Sequence, residues 1–117
     1  MTQIVRGRQA FHEQTATGTT TNSFADAIDL DLRGGESASI DIENTHGSNG
    51  LNYKVLVRYA NYSAGEDVEF VASTAVAAGA KDYVQLEKGY ARCKVQVQAA
   101  IADSHATYSI FGLRNRL

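Results

Sequence analysis

The sequence predicts an all-β fold: an antiparallel β-sandwich, jelly-roll-like, of about eight strands with an N-terminal arm. Three observations carry this. Apolar residues recur at every second position through most of the stretch from Ile28 to Leu113. Small polar clusters such as NYSAGE and IADSHA interrupt them at short intervals. No segment offers a convincing helical face, and there is no room for crossover helices.

The chain opens with MTQIVRGRQAFHEQ, in which Ile4, Val5 and Phe11 are apolar anchors and Arg6 and Arg8 carry charge. That composition suits docking along a neighbour's surface or adding a strand to its edge; folding back as an edge strand of the same sandwich suits it equally. RQAFHEQ is a strand candidate in its own right. TATGTTTNS, residues 15–23, is small and polar and reads as a flexible linker. The expected organisation is an arm and threonine-rich linker over residues 1–23 and a β-sandwich domain over residues 24–117.

DLDLRGGESASIDIEN places Ile28, Leu30 and Leu32 on one side of an extended chain and Asp29 and Asp31 on the other. Ala38, Ile40 and Ile42 repeat the pattern against Ser39, Asp41 and Glu43. The double glycine suggests a hairpin whose loop, Gly34-Gly35-Glu36, sets Leu32 against Ala38, Leu30 against Ile40 and Ile28 against Ile42. The same register sets Asp29 against Asp41. Like charges directly opposite are mildly destabilising, so the pair needs water, a cation or a basic neighbour, or else the two strands enter separate sheets.

LNYKVLVRYA is the clearest strand, with Leu51, Tyr53, Val55, Val57 and Tyr59 on one side. Short strands follow in DVEFVAS, with Val68 and Phe70 sharing a face, and in DYVQLEKG, with Val84 and Leu86. ARCKVQVQAAI points Ala91, Cys93, Val95, Val97, Ala99 and Ile101 inward and Arg92, Lys94, Gln96 and Gln98 outward. ATYSIFGLR sets Tyr108 and Ile110 against Ser109 and Phe111. Proline, a common device for blunting sheet edges, does not occur, which suits edges covered by partners.

Lys plus Arg is 11 and Asp plus Glu is 13, a net charge of −2, which argues against a dedicated nucleic-acid binder. No apolar run reaches bilayer length and the N-terminus lacks the apolar core of a signal peptide, so a soluble protein made in the cytoplasm, with no membrane partner, is expected. The single cysteine, Cys93, shares parity with core residues and reads as an inert buried thiol. His12, His46 and His105 are far apart and give no metal-ligand spacing. No nucleophile elbow or phosphate-cradling glycine loop is present, so an enzyme, a cofactor and a catalytic set are not expected. Asp26, Asp29, Asp31, Asp41 and Glu43 invite calcium, but they alternate with core residues as on a solvated sheet face, so no metal site is expected. Tyr62 and Tyr90 are the surface candidates for stacking on a sugar; Tyr53 and Tyr59 fit the core.

The succession DLRGGESASIDIEN, LNYKVLVRYANYSAGEDVEFV and AVAAGAKDYVQLEKGYARCKVQVQAA resembles small β-sandwich virion proteins of tailed bacteriophages, over roughly residues 24–114. The resemblance implies a structural protein that acts by assembly, as a capsid decoration or a head or tail accessory subunit. It implies a homo-oligomer, a major capsid or other virion protein as partner, and a place in the virion. The candidate assembly interface is then Ile4, Val5, Arg6, Arg8 and Phe11. A carbohydrate-binding or adhesive sandwich module, or a subunit of an extracellular filament, is the competing reading.

Overall fold

The computed structural model describes residues 13–32, 36–59, 67–87 and 89–114. The expectations placed on Ile4, Val5, Arg6, Arg8, Phe11, His12, Gly34, Gly35 and Tyr62 fall outside them.

Among the described residues eight strands run in order: β1 Glu13–Thr19, β2 Ala25–Asp31, β3 Ala38–Asn44, β4 Leu51–Tyr59, β5 Val68–Val76, β6 Lys81–Leu86, β7 Tyr90–Ala99 and β8 Thr107–Arg114. All pair antiparallel, and they form two sheets, β1-β8-β3-β6 and β2-β7-β4-β5. The pairings β1·β8, β2·β7, β3·β6 and β4·β5 are nested, so the chain is one long hairpin. Rolling that hairpin adds the pairs β3·β8 and β4·β7 and divides it into two facing sheets, which is jelly-roll topology.

Period-two alternation makes the core. On β3, β4 and β7, Ile40, Ile42, Leu51, Val55, Val57, Cys93 and Val95 are fully or almost fully buried between the sheets, while the residues alternating with them face outward. Gly112 of β8 is part of this packing: a Cβ there would lie 2.7 Å from Ile28 Cδ1 and 2.9 Å from Leu30 Cδ1. The two sheets interlock at that position because β8 leaves room for β2.

The expected β2–β3 hairpin does not form. β2 pairs with β7 in one sheet and β3 lies between β8 and β6 in the other. Both strands had to bury an apolar face, and two facing sheets satisfy that requirement as well as one hairpin does. They also place Asp29 and Asp41 on opposite outer faces, removing the like-charge pair. The crossing is held from β8, where the buried Arg114 donates to the Asp31 carbonyl at 3.0 Å and pairs with Glu36 at 3.1 Å.

TATGTTTNS is not a linker through its length, because Thr15 to Thr19 belong to β1, in unbroken register with β8. β-branched threonines fit the pleat, and the small residues between them lie under a ring: a Cβ on Gly18 would sit 2.9 Å from the Tyr108 hydroxyl. Two residues assigned inward are exposed, Tyr59 at the end of β4 and Ile101, and Val68 and Phe70, assigned to a common face, are exposed on the edge strand β5. Ile101 has left β7 for a tight turn in which it bridges Ser104 and Asp103 takes a φ of 66°. Phe70 falls at a register shift, where Val71 pairs with Val55 and Glu69 with Leu56, so parity does not carry through β5.

Candidate functional site

The two outer faces of the sandwich are built from the same strand grammar and differ in chemistry. On the β2-β7-β4-β5 sheet, Arg92 donates two hydrogen bonds to Asp29, from Nε to Oδ1 at 3.1 Å and from Nη2 to Oδ2 at 3.0 Å. Asp29 therefore holds the Arg92 guanidinium above its ordinary pKa. Lys94 lies 3.8 Å from Asp26 and 3.4 Å from Asp67, and Arg58 lies 3.3 Å from Asp67. Gln96 adds a hydrogen bond to Asp26 at 2.8 Å. Asp26, Asp29 and Asp67 on this face are tied up by cations of β7 and β4, the basic neighbour that the sequence left open.

On the β1-β8-β3-β6 sheet, strand register sets Thr15 beside Phe111, Phe111 beside Asp41 and Asp41 beside Tyr83. Tyr83 is 70% exposed and Phe111 36%. The next row is Thr17, Ser109, Glu43 and Lys81, and the one after it carries Thr19, Thr107 and Thr45, with a hydroxyl hydrogen bond of 2.9 Å between Thr45 and Thr107. Among the described residues, Asp41 and Glu43 have no cationic partner within 4 Å. This face combines two exposed rings, a hydroxyl field and uncompensated acids.

A third cluster lies at one end of the other sheet. The Tyr90 ring lies 5.3 Å from that of Tyr59, tilted by 47°, and 5.6 Å from that of Phe70, edge to face, with Val68 exposed on the same strand as Phe70. The expected surface position of Tyr90 is half-buried in this cluster.

Other candidates are absorbed by structure. Cys93 is fully buried and burial pushes its thiol up to about 12, far from nucleophilic use. Tyr53 donates its hydroxyl to Asp82 across the sandwich at 2.6 Å, and burial with that carboxylate raises its pKa further above the ordinary phenol value. His46 accepts the backbone N–H groups of Ser48 and Asn49 on Nδ1, at 3.1 and 2.9 Å, which fixes a loop. Among the described residues, no three His, Cys, Asp or Glu side chains are placed to hold a metal ion.

Sequence reasoning passed over Asn44, although it is fully buried. It donates to the carbonyls of Asn49 and Val76, at 2.9 and 3.0 Å, and accepts the His46 N–H at 2.9 Å, joining the β3–β4 connection to the end of β5. Tyr83 and Phe111 were missed as a site although the signal was present: both are large aromatics at outward parity, beside Val84 and Ile110 at inward parity.

No family model matches the chain, and no curated protein matches it in sequence. Solved structures do. The Yersinia pseudotuberculosis-derived mitogen is similar with a TM-score of 0.58 at 12% identity, over 90% of this chain and 87% of the mitogen. A structure of the disulfide-linked pili of Bacillus endospore appendages is similar with a TM-score of 0.51 at 14% identity, over 89% of this chain and 86% of that one. The SPBc2 prophage-derived protein YomS stands at a TM-score of 0.49 and 10% identity, over 88% of this chain and 95% of its own. At these identities the first two likenesses show the shared sandwich fold and nothing of activity, and the third carries no argument.

Proposed function

We propose that the protein is a non-catalytic structural subunit that acts by assembly: a capsid decoration or head or tail accessory subunit of a phage virion. In this reading it is homo-oligomeric and bound to a major capsid or other virion protein. The observation that carries it is the Thr15, Phe111, Asp41, Tyr83 row on the outer face of a sheet whose inner face is already fully packed. Rings exposed on such a face, rimmed by hydroxyls and acids, have the composition of a protein-docking surface. The sequence resemblance supplies the virion setting, and Ile4, Val5, Arg6, Arg8 and Phe11 supply a second contact with neighbours.

The test is incorporation into particles. The Tyr83→Ser, Phe111→Ser double variant, and separately a chain lacking residues 2–11, are expected to keep the parental melting temperature and to leave the particle fraction in sedimentation. Full incorporation of both would remove the reading. The ring cluster of Tyr59, Phe70 and Tyr90 favours the competing carbohydrate-binding module, because exposed aromatic faces stack on sugars; glycan-array binding lost on Tyr59→Ala would establish it.

A further inference from the structure

The four sheet edges are not alike. β2 carries a register shift between Asp26 and Ile28, and the Gln14 amide closes on the N–H and carbonyl of Asp29, at 2.9 and 2.7 Å. β5 has register shifts along its pairing with β4. β6 is the shortest strand, opens on Lys81 and turns the Asp82 carboxylate inward to Tyr53. Bulges, capped edge groups, edge lysines and inward charges are the devices that keep a sheet edge from recruiting another strand. β1 has none of them. It runs seven residues in register with β8, and its one charge, Glu13, sits at its first position.

The ladder identifies which groups of β1 are available. Thr20 donates to Ala106 at 2.8 Å, so even-numbered residues face β8 in the alternating antiparallel pattern, and the N–H and C=O groups of Glu13, Thr15, Thr17 and Thr19 point to the open edge. Among the described residues nothing hydrogen-bonds them.

We infer that the open edge of β1 pairs antiparallel with β1 of a second copy, joining two β1-β8-β3-β6 sheets into one continuous sheet across a two-fold axis at Ala16. The sequence of β1 is self-complementary in this register. Glu13 meets Thr19 and Thr15 meets Thr17, so every edge-facing residue is paired, no like charges oppose, and threonine pairs are favourable neighbours on the outer face. The joined sheet makes the exposed Phe111 and Tyr83 rows of the two copies one surface. The inference rests on the assembly reading and names its contact between like subunits.

The test uses the full chain. Thr17→Pro removes an edge-facing N–H and no bond to β8, so it is expected to leave the melting temperature within about 3 °C and to weaken self-association by at least about tenfold in analytical ultracentrifugation. Should that variant unfold, Thr17→Lys makes the same comparison through edge charge. Under oxidation Ala16→Cys is expected to form a disulfide-linked dimer, since Ala16 faces its own mate in a non-hydrogen-bonded pair about 4.5 Å apart. Thr15→Cys, whose two copies stand about 8 Å apart in that register, is expected to remain uncrosslinked. A parent chain that stays monomeric at high concentration, unchanged association in both Thr17 variants, or equal crosslinking at positions 15 and 16 would each overturn β1 pairing. The assembly reading is judged separately by particle incorporation, which does not depend on which edge or face like subunits use.

Discussion

One stretch of sequence, DLDLRGGESASIDIEN, contributes acids to both outer faces of the sandwich, and the two faces treat them differently. Asp29 on β2 is clasped by Arg92 of the neighbouring strand, whereas Asp41 on β3 stands between the rings of Tyr83 and Phe111. The alternation is identical in the two strands; what differs is the strand that topology lays alongside. A face closed by its own ion pairs has little left to offer a partner. A face whose rings are exposed and whose acids form no ion pair within 4 Å keeps those groups for contact, and on that ground the proposed assembly surface is set on the β1-β8-β3-β6 face.

Because both faces hang on one core, the largest effect comes from beneath them. Val95 is fully buried under the ion-paired face, and Val95→Asp is expected to prevent folding, since it places an unpaired charge where no partner exists. Circular dichroism would show the loss of β structure. Native-like ellipticity and cooperative melting in that variant would mean that the inward and outward lines of β7 are assigned the wrong way round.

High pH reaches the same core without a mutation. The Cys93 thiol is pushed up to about 12 by burial, from an unfolded value of 9.0, so the folded chain keeps a proton that the unfolded chain releases. The stability associated with that difference is complete below pH 9 and is lost as pH rises towards 12, at a limiting slope of about 1.4 kcal/mol per pH unit. Tyr53, also raised, adds to the decline above its unfolded value of 10.0. Urea unfolding at stepped pH is expected to show this fall, with a shallower slope in Cys93→Ala. An unchanged slope would mean that the thiol is reached by solvent.

How much of this was legible follows from what alternation can and cannot encode. The inward lines of β3, β4 and β7 were readable because each side chain's environment there is set by its own strand's parity. The partner of a strand was not: Ile28, Leu30 and Leu32 would bury equally well beside β3 or across from it, and only Arg92 and Lys94, more than sixty residues on, distinguish the cases. β1 was read as linker because its inward positions, Ala16 and Gly18, are small, and Gly18 leaves room for the ring of Tyr108, which lies ninety residues away. Asn44 looks like a turn residue at the end of a strand, and its burial goes with a hydrogen bond to Val76, thirty-two residues on at the end of β5. Tyr83 and Phe111 were visible by parity individually; that they share a row with Asp41 between them required the strand order.

A smaller effect sharpens the contrast between the faces. Arg92→Ala is expected to lower stability by about 1 kcal/mol, near the upper end for a bidentate pair that solvent still reaches, and the loss should shrink as salt is added. Both partners are more than a third exposed, which limits the contribution. Asp41→Asn on the other face removes no ion pair and is expected to stay within about 0.5 kcal/mol of the parent. Equal losses from the two variants, measured in the same urea titration, would erase the distinction between a closed and an open face.

The smallest expected effect is none, and it bears on whether the acids of the open face await a metal. Asp29 and Asp41, which a hairpin would have placed side by side, lie on opposite faces, so a cation cannot bridge them. Asp41 and Glu43 share an outward line on β3, separated by two residues of extended chain, with Lys81 beside Glu43. Side chains two apart on one strand stand about 7 Å from each other, too far for a pair of carboxylates to hold calcium at about 2.4 Å without further oxygen ligands. Millimolar calcium is therefore expected to leave the melting temperature unchanged, because only a ligand that prefers the folded state shifts it. A rise of several degrees, reversed by chelator and lost in Asp41→Asn, would make the open face a metal site.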